Sequence, residues 1–349
     1  MRPPRTTRAR ATTPAAARAT TRAAALAACA AVLVLPACAE LPAVTAPAAA
    51  AGERTALVVQ PAQAARIAEA ATAALGAAGD PAATDLDALA ARVTGPELDL
   101  RRAAATVAAA GVAPPAAGAD DLDAISSVLP RQDGWPRWFL TVTEPGEDSK
   151  PSVVVLRSPS AREPYRVWGT PSLLPGASLP TTGAPADGAA VVGPDEDTNL
   201  PMSPRAVAER YADVLLHGDD SEFADRFTAD AYRSSVVSSA QEQTGALEAA
   251  GGSLTQERDL LDDSVVAVRT RDGGALVVAG YRSSVTARGP AGGRPGTLQD
   301  VAAALAGRDG DVTSVTTVLE EVVVFAVPPG DGQVSAVAVQ SGPVSVEAS

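Results

Sequence analysis

Apolar side chains follow a helical period in two stretches of the chain, and a strand-like period follows each of them. The first helical stretch has apolar residues at i, i+4, i+7 and i+8: Ile67, Ala71, Ala74 and Leu75. The second stretch repeats this spacing 140 residues later: Val207, Tyr211, Val214 and Leu215. The pattern predicts one amphipathic helix in each half of the chain.

The two helical stretches belong to a longer internal similarity. Ala90-Ala91-Arg92-Val93-Thr94 is matched by Ala224-Asp225-Arg226-Phe227-Thr228 at an offset of 134 residues, so the first copy has a longer loop after its helix. Gly76 marks the end of the first helix, while Ser203 and Pro204 supply an N-cap and a first-turn proline for the second. These signals favour an internal repeat over a chance similarity of two alanine-rich stretches.

After each helical part, the period of the apolar residues changes to that of β-strands. The strand-like segments are residues 138–143, 153–156 and 165–168 in the first half, and residues 265–269, 275–281, 320–327 and 334–340 in the second. Asp272-Gly273-Gly274 and residues 328–332 have the composition of hairpin turns. Helices followed by antiparallel strands predict an α+β fold of two tandem helix-then-sheet domains.

The N-terminal segment has the order of charge and apolarity that export requires. Six arginines and no acidic residue precede the apolar run of residues 23–35, which is shorter than the roughly 20 residues of a membrane span. The run closes with Leu35-Pro36-Ala37-Cys38, which resembles the lipobox of bacterial lipoproteins. This resemblance implies a signal peptide over residues 1–37 and acylation of Cys38. Leu26-Ala27-Ala28-Cys29 is the alternative lipobox, but its use would leave the end of the apolar run in the mature tail.

Local composition divides the rest of the chain. Residues 38–55 contain almost no large apolar side chains and are expected to form a flexible stalk. Residues 175–201 are rich in Pro, Gly, Ala, Thr and Asp and are predicted to be a linker. We therefore expect a first α+β domain at residues 56–174 and a second, cone-like one at residues 202–349.

Charge and cysteine content exclude several classes of function. The chain has 28 basic and 41 acidic residues, and six of the basic ones precede Cys38, so the mature part carries a net charge of −19. This charge disfavours binding to nucleic acid or to anionic lipid head groups, which leaves the lipid as the membrane tether. Because no cysteine follows Cys38, the mature body has no disulfide, thiol nucleophile or zinc–thiolate site.

The second half contains a motif that is similar to a known superfamily. The pattern Tyr-Ala-Asp…Leu…Gly-Asp-Asp…Phe-Ala-Asp-Arg-Phe-Thr-Ala-Asp-Ala-Tyr over residues 211–232 resembles the nuclear transport factor-like superfamily. The resemblance implies a cone-shaped α+β fold with a curved antiparallel sheet, from which the helix-like residues 297–307 depart. Such a cone can hold a desolvated acid or base. The candidates here are Asp225, Asp230, Tyr211 and Tyr232. The alternative interpretation makes the two aspartates solvent-facing helix caps.

Taken as a whole, the chain is similar to a group of uncharacterised actinobacterial lipoproteins. The similarity rests on Arg131-Gln132-Asp133-Gly134-Trp135-Pro136-Arg137-Trp138-Phe139 and on Pro164-Tyr165-Arg166 in the first half. It implies an address in the cell envelope and a domain architecture, but no particular activity.

Other residues with functional chemistry are few. His217 is the only histidine and precedes Gly218 at a predicted helix end, where a capping role is favoured over catalysis. Two acidic groups lack the spacing of a calcium loop and are interpreted as solvated surface charge: Asp120, Asp121 and Asp123, and Asp195, Glu196 and Asp197. The three tryptophans are interpreted as core rather than as a stacking surface for a ligand: Trp135, Trp138 and Trp168.

These observations favour a non-enzymatic binding or assembly module that is lipid-anchored on the extracytoplasmic face of the cell membrane. Lipidation of Cys38 is the predicted modification, and no catalytic residue, metal or cofactor is predicted. The expected partners are the membrane, through the lipid, and either an envelope protein or a small apolar ligand, but not nucleic acid. The alternative is a small-molecule isomerase or cyclase that uses a cavity in the second domain. The oligomeric state is not assigned.

Overall fold

A computed structural model of the protein describes residues 55–115, 122–145, 150–290 and 296–349. The predicted signal peptide, Cys38 and the predicted stalk up to residue 54 lie outside the described residues. The segment Gly52–Ser349 forms one compact unit.

The described residues combine α-helices with antiparallel strands, as the sequence predicts. The helices are α1 (Pro61–Ala77), α2 (Leu86–Ala90), α3 (Gly95–Ala109), α4 (Pro204–His217), α5 (Ala231–Ala249) and α6 (Asp300–Ala306). The strands of the first half are β1 (Leu122–Val128), β2 (Pro130–Arg131), β3 (Arg137–Pro145), β4 (Val153–Ser158), β5 (Arg166–Gly169), β6 (Ser172–Leu173) and β7 (Ala189–Val192). Those of the second half are β8 (Ser253–Leu260), β9 (Val266–Arg269), β10 (Ala275–Arg288), β11 (Gly296–Thr297), β12 (Asp311–Val312), β13 (Ser314–Val327) and β14 (Ser335–Ala348).

Two antiparallel meanders form the body of the structure. The first sheet has the strand order β1-β3-β4-β5. The second sheet contains a corresponding meander, β8-β10-β13-β14, because β8 pairs with the distal half of β10. Strand β9 pairs with the proximal half of β10, and the short strands β7, β2 and β6 extend this sheet at its two ends. The expected hairpins β9–β10 and β13–β14 are both present.

The internal repeat has a structural counterpart in an unusual backbone contact. In the first copy Val93 forms a parallel bridge to Val167 of β5, and the Arg92 carbonyl oxygen accepts a hydrogen bond from the Val167 amide at 2.8 Å. In the second copy Phe227 forms a parallel bridge to Val334, and Arg226 accepts from the Val334 amide at 2.9 Å. Each bridge joins the segment between two helices to the fourth strand of the meander. The repeat is therefore a duplicated helix-then-sheet unit.

The first helix of each copy covers its own sheet. Helix α4 begins as its sequence predicts, since the Ser203 hydroxyl accepts a hydrogen bond from the Ala206 amide at 3.3 Å and Pro204 opens the first turn. Its buried Tyr211 contacts the ring of Phe325 on β13, with ring centroids 5.0 Å apart. In return, the Tyr281 hydroxyl of β10 donates to the Ala208 carbonyl oxygen at 3.0 Å. Helix α4 and its sheet thus share one apolar core.

Side chains of each meander alternate between two apolar layers, with period 2. On the first sheet, Phe139, Val154, Leu156 and Val167 pack with α1, while Trp138, Leu140, Val153, Val155 and Trp168 pack against the second sheet. On the second sheet, Leu276, Val278, Val322 and Val324 face the first sheet, while Val277, Ala279, Tyr281, Val323 and Phe325 pack with α4. The order of layers is helices, sheet, sheet, helix. Because both faces are buried, the central strands are almost continuously apolar.

A buried polar network fastens α3 to the second copy. Glu97 is 0% exposed, and its Oε1 accepts a hydrogen bond from Arg101 Nε at 2.7 Å. Its Oε2 accepts from the Thr170 hydroxyl at 2.8 Å and from the Gln340 side-chain amide of β14 at 2.7 Å. The Gln340 Oε1 accepts from the Thr170 backbone amide at 2.8 Å. A single carboxylate therefore links a helix and a loop of the first copy to the last strand of the second.

Residues 175–201, predicted as a linker, take part in the compact unit. Strand β7 lies within this segment, pairing in parallel with β2 and antiparallel with β9. Its apolar run is four residues long, too short to stand out against the Pro- and Gly-rich composition around it. The structure therefore differs from the expectation of two domains joined by a free linker, since the two copies pack sheet against sheet.

We expect a single proteolytic cut within residues 175–201 to leave two fragments that remain associated. The apolar layer between the sheets takes side chains from both fragments, and separation would expose it to water. Size-exclusion chromatography after limited native proteolysis measures this directly. Fragments that elute apart and melt cooperatively on their own would contradict the shared core.

Glu97→Ala should lower the free energy of unfolding by about 3–5 kcal/mol, because it removes a carboxylate partner of buried Arg101 and the acceptor of Thr170 and Gln340. Asp99→Ala is the matched control on the same helix, since the Asp99–Arg102 pair is exposed and should contribute about 0–1 kcal/mol. Urea denaturation of both variants gives the comparison. Equal midpoints would show that the network does not hold α3 to β14.

Candidate functional site

Helices α3 and α5 occupy corresponding places in the two copies but pack differently. Each follows the bridging segment of its copy, Val93 or Phe227, and precedes its meander. Helix α3 has eight buried residues in its 15, whereas the longer α5 has no buried residue in its 19. Tyr232 and Val236 of α5 pack against the core but are only half-buried, so this helix covers the sheet below it less completely than α3 does. The space beneath α5 is therefore the candidate site.

Capping rather than burial fixes the ends of α5. The Asp230 side chain accepts a hydrogen bond from the Arg233 amide at 2.8 Å at the N-terminus. At the C-terminus, Gly251 has φ +80°, and the Gly252 amide donates to the Leu247 carbonyl oxygen at 2.8 Å. These caps allow the sequence between them to remain polar while it stays helical.

A buried cluster of charged and hydroxyl groups lies beneath the start of α5. Glu321 of β13 is 1% exposed and forms an ion pair with Arg258 of β8, whose side chain is 5% exposed. The Tyr232 hydroxyl donates to Glu321 Oε2 at 2.7 Å, and the Ser283 hydroxyl donates to Oε1 at 2.9 Å. Both carboxylate oxygens thus accept hydrogen bonds, and three strands and a helix meet at one acidic residue.

Burial and the neighbouring charges keep Tyr232 and Arg258 of this cluster protonated. Burial raises the pKa of the Tyr232 phenol above its ordinary value, and the neighbouring Glu321 carboxylate raises it further. Burial on its own would lower the pKa of Arg258, but the Glu321 carboxylate together with the neighbouring Tyr232 outweighs it, and the pKa of Arg258 is raised. The phenol therefore remains a hydrogen-bond donor, and the guanidinium remains charged.

A cavity of about 200 Å³ opens beside the cluster, between α5 and strands β8, β10 and β13. We call it the α5 cleft. Its lining is Tyr232, Ser235, Val236, Ser239, Ala240, Gln243, Gln256, Glu257, Arg258, Ser283, Val285, Leu319, Glu321 and Ser341. A second cavity of about 580 Å³ lies on the other side of α5, and Ala240 and Gln256 line both. Helix α5 is therefore flanked by a cavity on each side where it packs over the sheet.

The structure separates the four acid–base candidates of the second half. Tyr211 and Asp230 meet, since the Tyr211 hydroxyl donates to Asp230 Oδ2 at 3.0 Å. Burial raises the pKa of Tyr211 above its ordinary value, and the nearby Asp230 carboxylate raises it further. Tyr232 lies in the α5 cleft with Glu321. Asp225 is exposed in a short 3₁₀ helix, so it joins neither pair.

His217 is the last residue of α4, as expected. Its Nδ1 lies 3.1 Å from both the carbonyl oxygen and Oδ2 of Asp213, and the side chain is 57% exposed. Gly218 follows with φ 62° and ends the helix. This position is a helix terminus on the surface, away from the α5 cleft residues.

The acidic groups considered for calcium do not come together in the described part of the chain. Asp120 and Asp121 lie outside the described residues, and Asp123 is exposed on β1. Asp195 pairs with Arg205 at 2.8 Å, and Glu196 pairs with Arg269 at 2.7 Å. The hydrogen bond from Arg269 lowers the pKa of Glu196 below its ordinary value, with help from the Gly193 amide. Within the described ranges, no group of three or more His, Cys, Asp or Glu side chains is placed to hold a metal ion.

Two of the three tryptophans belong to the core, as expected. Trp138 and Trp168 are buried between the two sheets. Trp135 is 39% exposed in the loop before β3, where the Arg137 guanidinium lies 4.8 Å from its ring. The interpretation of Trp135 as core is therefore wrong, because its loop projects beyond the sheet edge.

Sequence reasoning missed Glu321 and Arg258, the two charged residues of the cluster. A weak signal for Glu321 exists, since Glu320 and Glu321 stand together at the start of the apolar run 322–327. Adjacent residues of a strand face opposite sides, so one of two neighbouring acids in a buried strand must point into each layer. Arg258 carries no such signal, because β8 is polar on both faces.

The family of the chain follows from its match over residues 55–346 to the family described as domain of unknown function DUF8094. The chain belongs to this family. It is also similar to a protein of Streptomyces avermitilis named uncharacterized lipoprotein, with 31% identity over 150 residues, which is 43% of each chain. The chain thus spans less than half the length of this relative. The match agrees with the lipoprotein family expected from residues 131–139 and 164–166.

No solved structure matches the chain, so the resemblance to the nuclear transport factor-like superfamily stays a prediction. Among the helices of the described residues, none is long and apolar enough to cross a membrane.

Glu321→Gln should lower the free energy of unfolding by about 3–5 kcal/mol, because the buried Arg258 guanidinium would lose its counter-charge. Chemical denaturation near neutral pH measures the loss. The neighbouring residue Glu320 offers a matched control on the opposite face of β13, where it pairs with Arg282 and is 2% exposed.

Burial raises the pKa of Glu320 above its ordinary value, although the hydrogen bond from Arg282 opposes this. Its ionised form is therefore penalised in the fold, and wild-type stability gains as the pH falls through the folded-state pKa. Glu320→Gln should leave stability near neutral pH unchanged or higher, with any advantage disappearing in acid. A loss as large as that of Glu321→Gln would contradict the assigned roles of the two acids.

Proposed function

We propose that the protein is a lipid-anchored, extracytoplasmic module of the cell envelope that binds a small ligand in the α5 cleft. The observation that carries the binding role is the cavity beneath α5, a helix whose inner residues are only half-buried, next to the Arg258–Glu321 pair. Cavities with a few fixed polar groups are where proteins hold small ligands. The corresponding helix α3 covers its sheet with buried residues. The opening under α5 is therefore specific to the second copy.

The anchoring part of the proposal is supported by the N-terminal sequence and by the relative named uncharacterized lipoprotein. Acylation of Cys38 after cleavage at Ala37 would place at least two acyl chains on the mature N-terminus. Each buried CH₂ contributes about 0.8 kcal/mol, so two chains suffice for stable anchoring, whereas one is marginal. The acidic body adds no electrostatic attraction to an anionic surface.

The packing under α4 and the hydrogen bonds of Glu321 favour binding over isomerase or cyclase chemistry. The core under α4 is packed with buried side chains that include Tyr211, Tyr281 and Phe325. In the α5 cleft, each oxygen of Glu321 already accepts a hydrogen bond, and Arg258 neutralises the carboxylate. A general base needs an oxygen that the substrate can reach, whereas Glu321 is 1% exposed and both of its oxygens are engaged in hydrogen bonds.

Cys38→Ala should move the protein from the membrane fraction to the medium or leave it as an uncleaved precursor, because the acylated thiol is lost. Cys29→Ala is the matched control and should change neither size nor fractionation. Immunoblotting of membrane and soluble fractions tests both variants. If Cys29→Ala alone releases the protein, the site of lipidation is Cys29; if neither variant matters, the anchor is not a lipid on either cysteine.

A further inference from the structure

We propose that the ligand of the α5 cleft is a small neutral polyhydroxylated molecule with the size of a single sugar ring. The proposal rests on the proposed binding function and names its ligand class. It differs from the small apolar ligand considered from the sequence, because ten of the fourteen lining residues carry side chains that can form hydrogen bonds.

Six of the residues that line the cleft carry neutral hydroxyl or amide side chains. They are Ser235, Ser239, Gln243, Gln256, Ser283 and Ser341. The side chains of Ser239, Gln243 and Gln256 make no hydrogen bond to any described residue, so their hydroxyl and amide groups are available to a ligand. Hydroxyls and side-chain amides both donate and accept, which suits a ligand whose own hydroxyls do the same.

The charges of the cleft argue against an ionic ligand. Arg258 and Glu321 neutralise each other and are almost completely buried, so neither offers an unpaired charge. Glu257 also lines the cleft, but it is exposed, so water and salt screen its charge and it repels anions or attracts cations only weakly. Displacing either member of a buried ion pair to bind an ion would leave the other uncompensated. A neutral ligand avoids this cost.

Size and shape narrow the class further. A cavity of about 200 Å³ lies below the lower end of the range for drug-sized ligands, about 300 Å³, and holds roughly six or seven waters. Val236, Val285 and Leu319 provide an apolar part of the wall, against which the C–H face of a sugar ring can pack. A single ring with hydroxyls at its rim matches both parts.

Saturation-transfer NMR on the full chain, purified in detergent, tests the proposal. The probes are the neutral sugars glucose, galactose and xylose, with gluconate and glucosamine as charged counterparts. We expect saturation transfer to at least one neutral sugar and none to the charged probes. Transfer to a charged probe alone, or to no probe, overturns the ligand class.

Two variants of α5 locate the site. Ser239→Leu fills the cleft and should weaken binding about tenfold or more. Ser238→Leu places the same side chain on the neighbouring residue, which does not line the α5 cleft, and should bind as the wild type does. Equal affinities of the two variants would place the sugar elsewhere on the protein.

A parallel measurement separates failure of the ligand class from failure of the binding function. Melting temperatures are taken with amino acids, dipeptides, nucleosides and short fatty acids. If one of these stabilises the wild type but not Ser239→Leu, the cleft binds a ligand of another class and only the sugar proposal is overturned. If no sugar and no member of this panel binds the wild type more strongly than Ser239→Leu, the proposed binding function is overturned as well.

Discussion

Burial of both faces of each sheet is the constraint on which the rest of the structure depends. The first sheet is covered by α1 on one side and by the second sheet on the other, and the second sheet is covered in turn by α4. Trp168 shows how close the two sheets come, since a Cβ at Gly280 would lie 2.5 Å from its ring. Only glycine leaves room for the indole there. The duplicated unit is therefore stable as a pair, because the sheet of each copy covers the inner face of the other sheet.

Polar contacts at the margin of this interface fix the register between the copies. Arg157 of β4 lies 4.0 Å from the centre of the Trp168 ring, and its guanidinium donates to the carbonyl oxygens of Asp263 at 3.1 Å and Ser264 at 2.6 Å. Burial lowers the pKa of Arg157 to about 10, which still leaves it charged at neutral pH. At another margin, Glu97 likewise links the two copies by accepting a hydrogen bond from Gln340. Directional bonds at two margins prevent the apolar layer from sliding, because a shift would leave buried polar groups unpaired.

The sequence predicts the apolar half of this fold well and the polar half poorly. The strands around residues 153–156, 275–281 and 322–327 are visible because burial on both faces makes them apolar throughout. Strand β8 and the distal parts of β10 and β13 extend beyond the core and are half-exposed, so their apolar period is lost. The apolar stripe of helix α5 is weak for the same reason, since its inner residues are only half-buried. The candidate site lies where these polar elements meet, and pattern reasoning therefore found only Tyr232 of its charged and aromatic members.

The two copies also show why a polar cluster persists under α5. A buried ion pair is a weak source of stability, and apolar residues of similar volume are often as stabilising or more so. In the first copy, most of the buried residues of α3 are apolar: Leu98, Leu100, Ala103, Ala104 and Val107. In the second copy, Ser235, Ser239 and Gln243 of α5 line the cleft while remaining exposed, and Arg258 and Glu321 are buried beneath the helix. Since the same unit can be closed with apolar side chains, stability alone does not account for the open polar version. Recognition of the proposed hydrogen-bonding ligand would account for both the polar lining and the space.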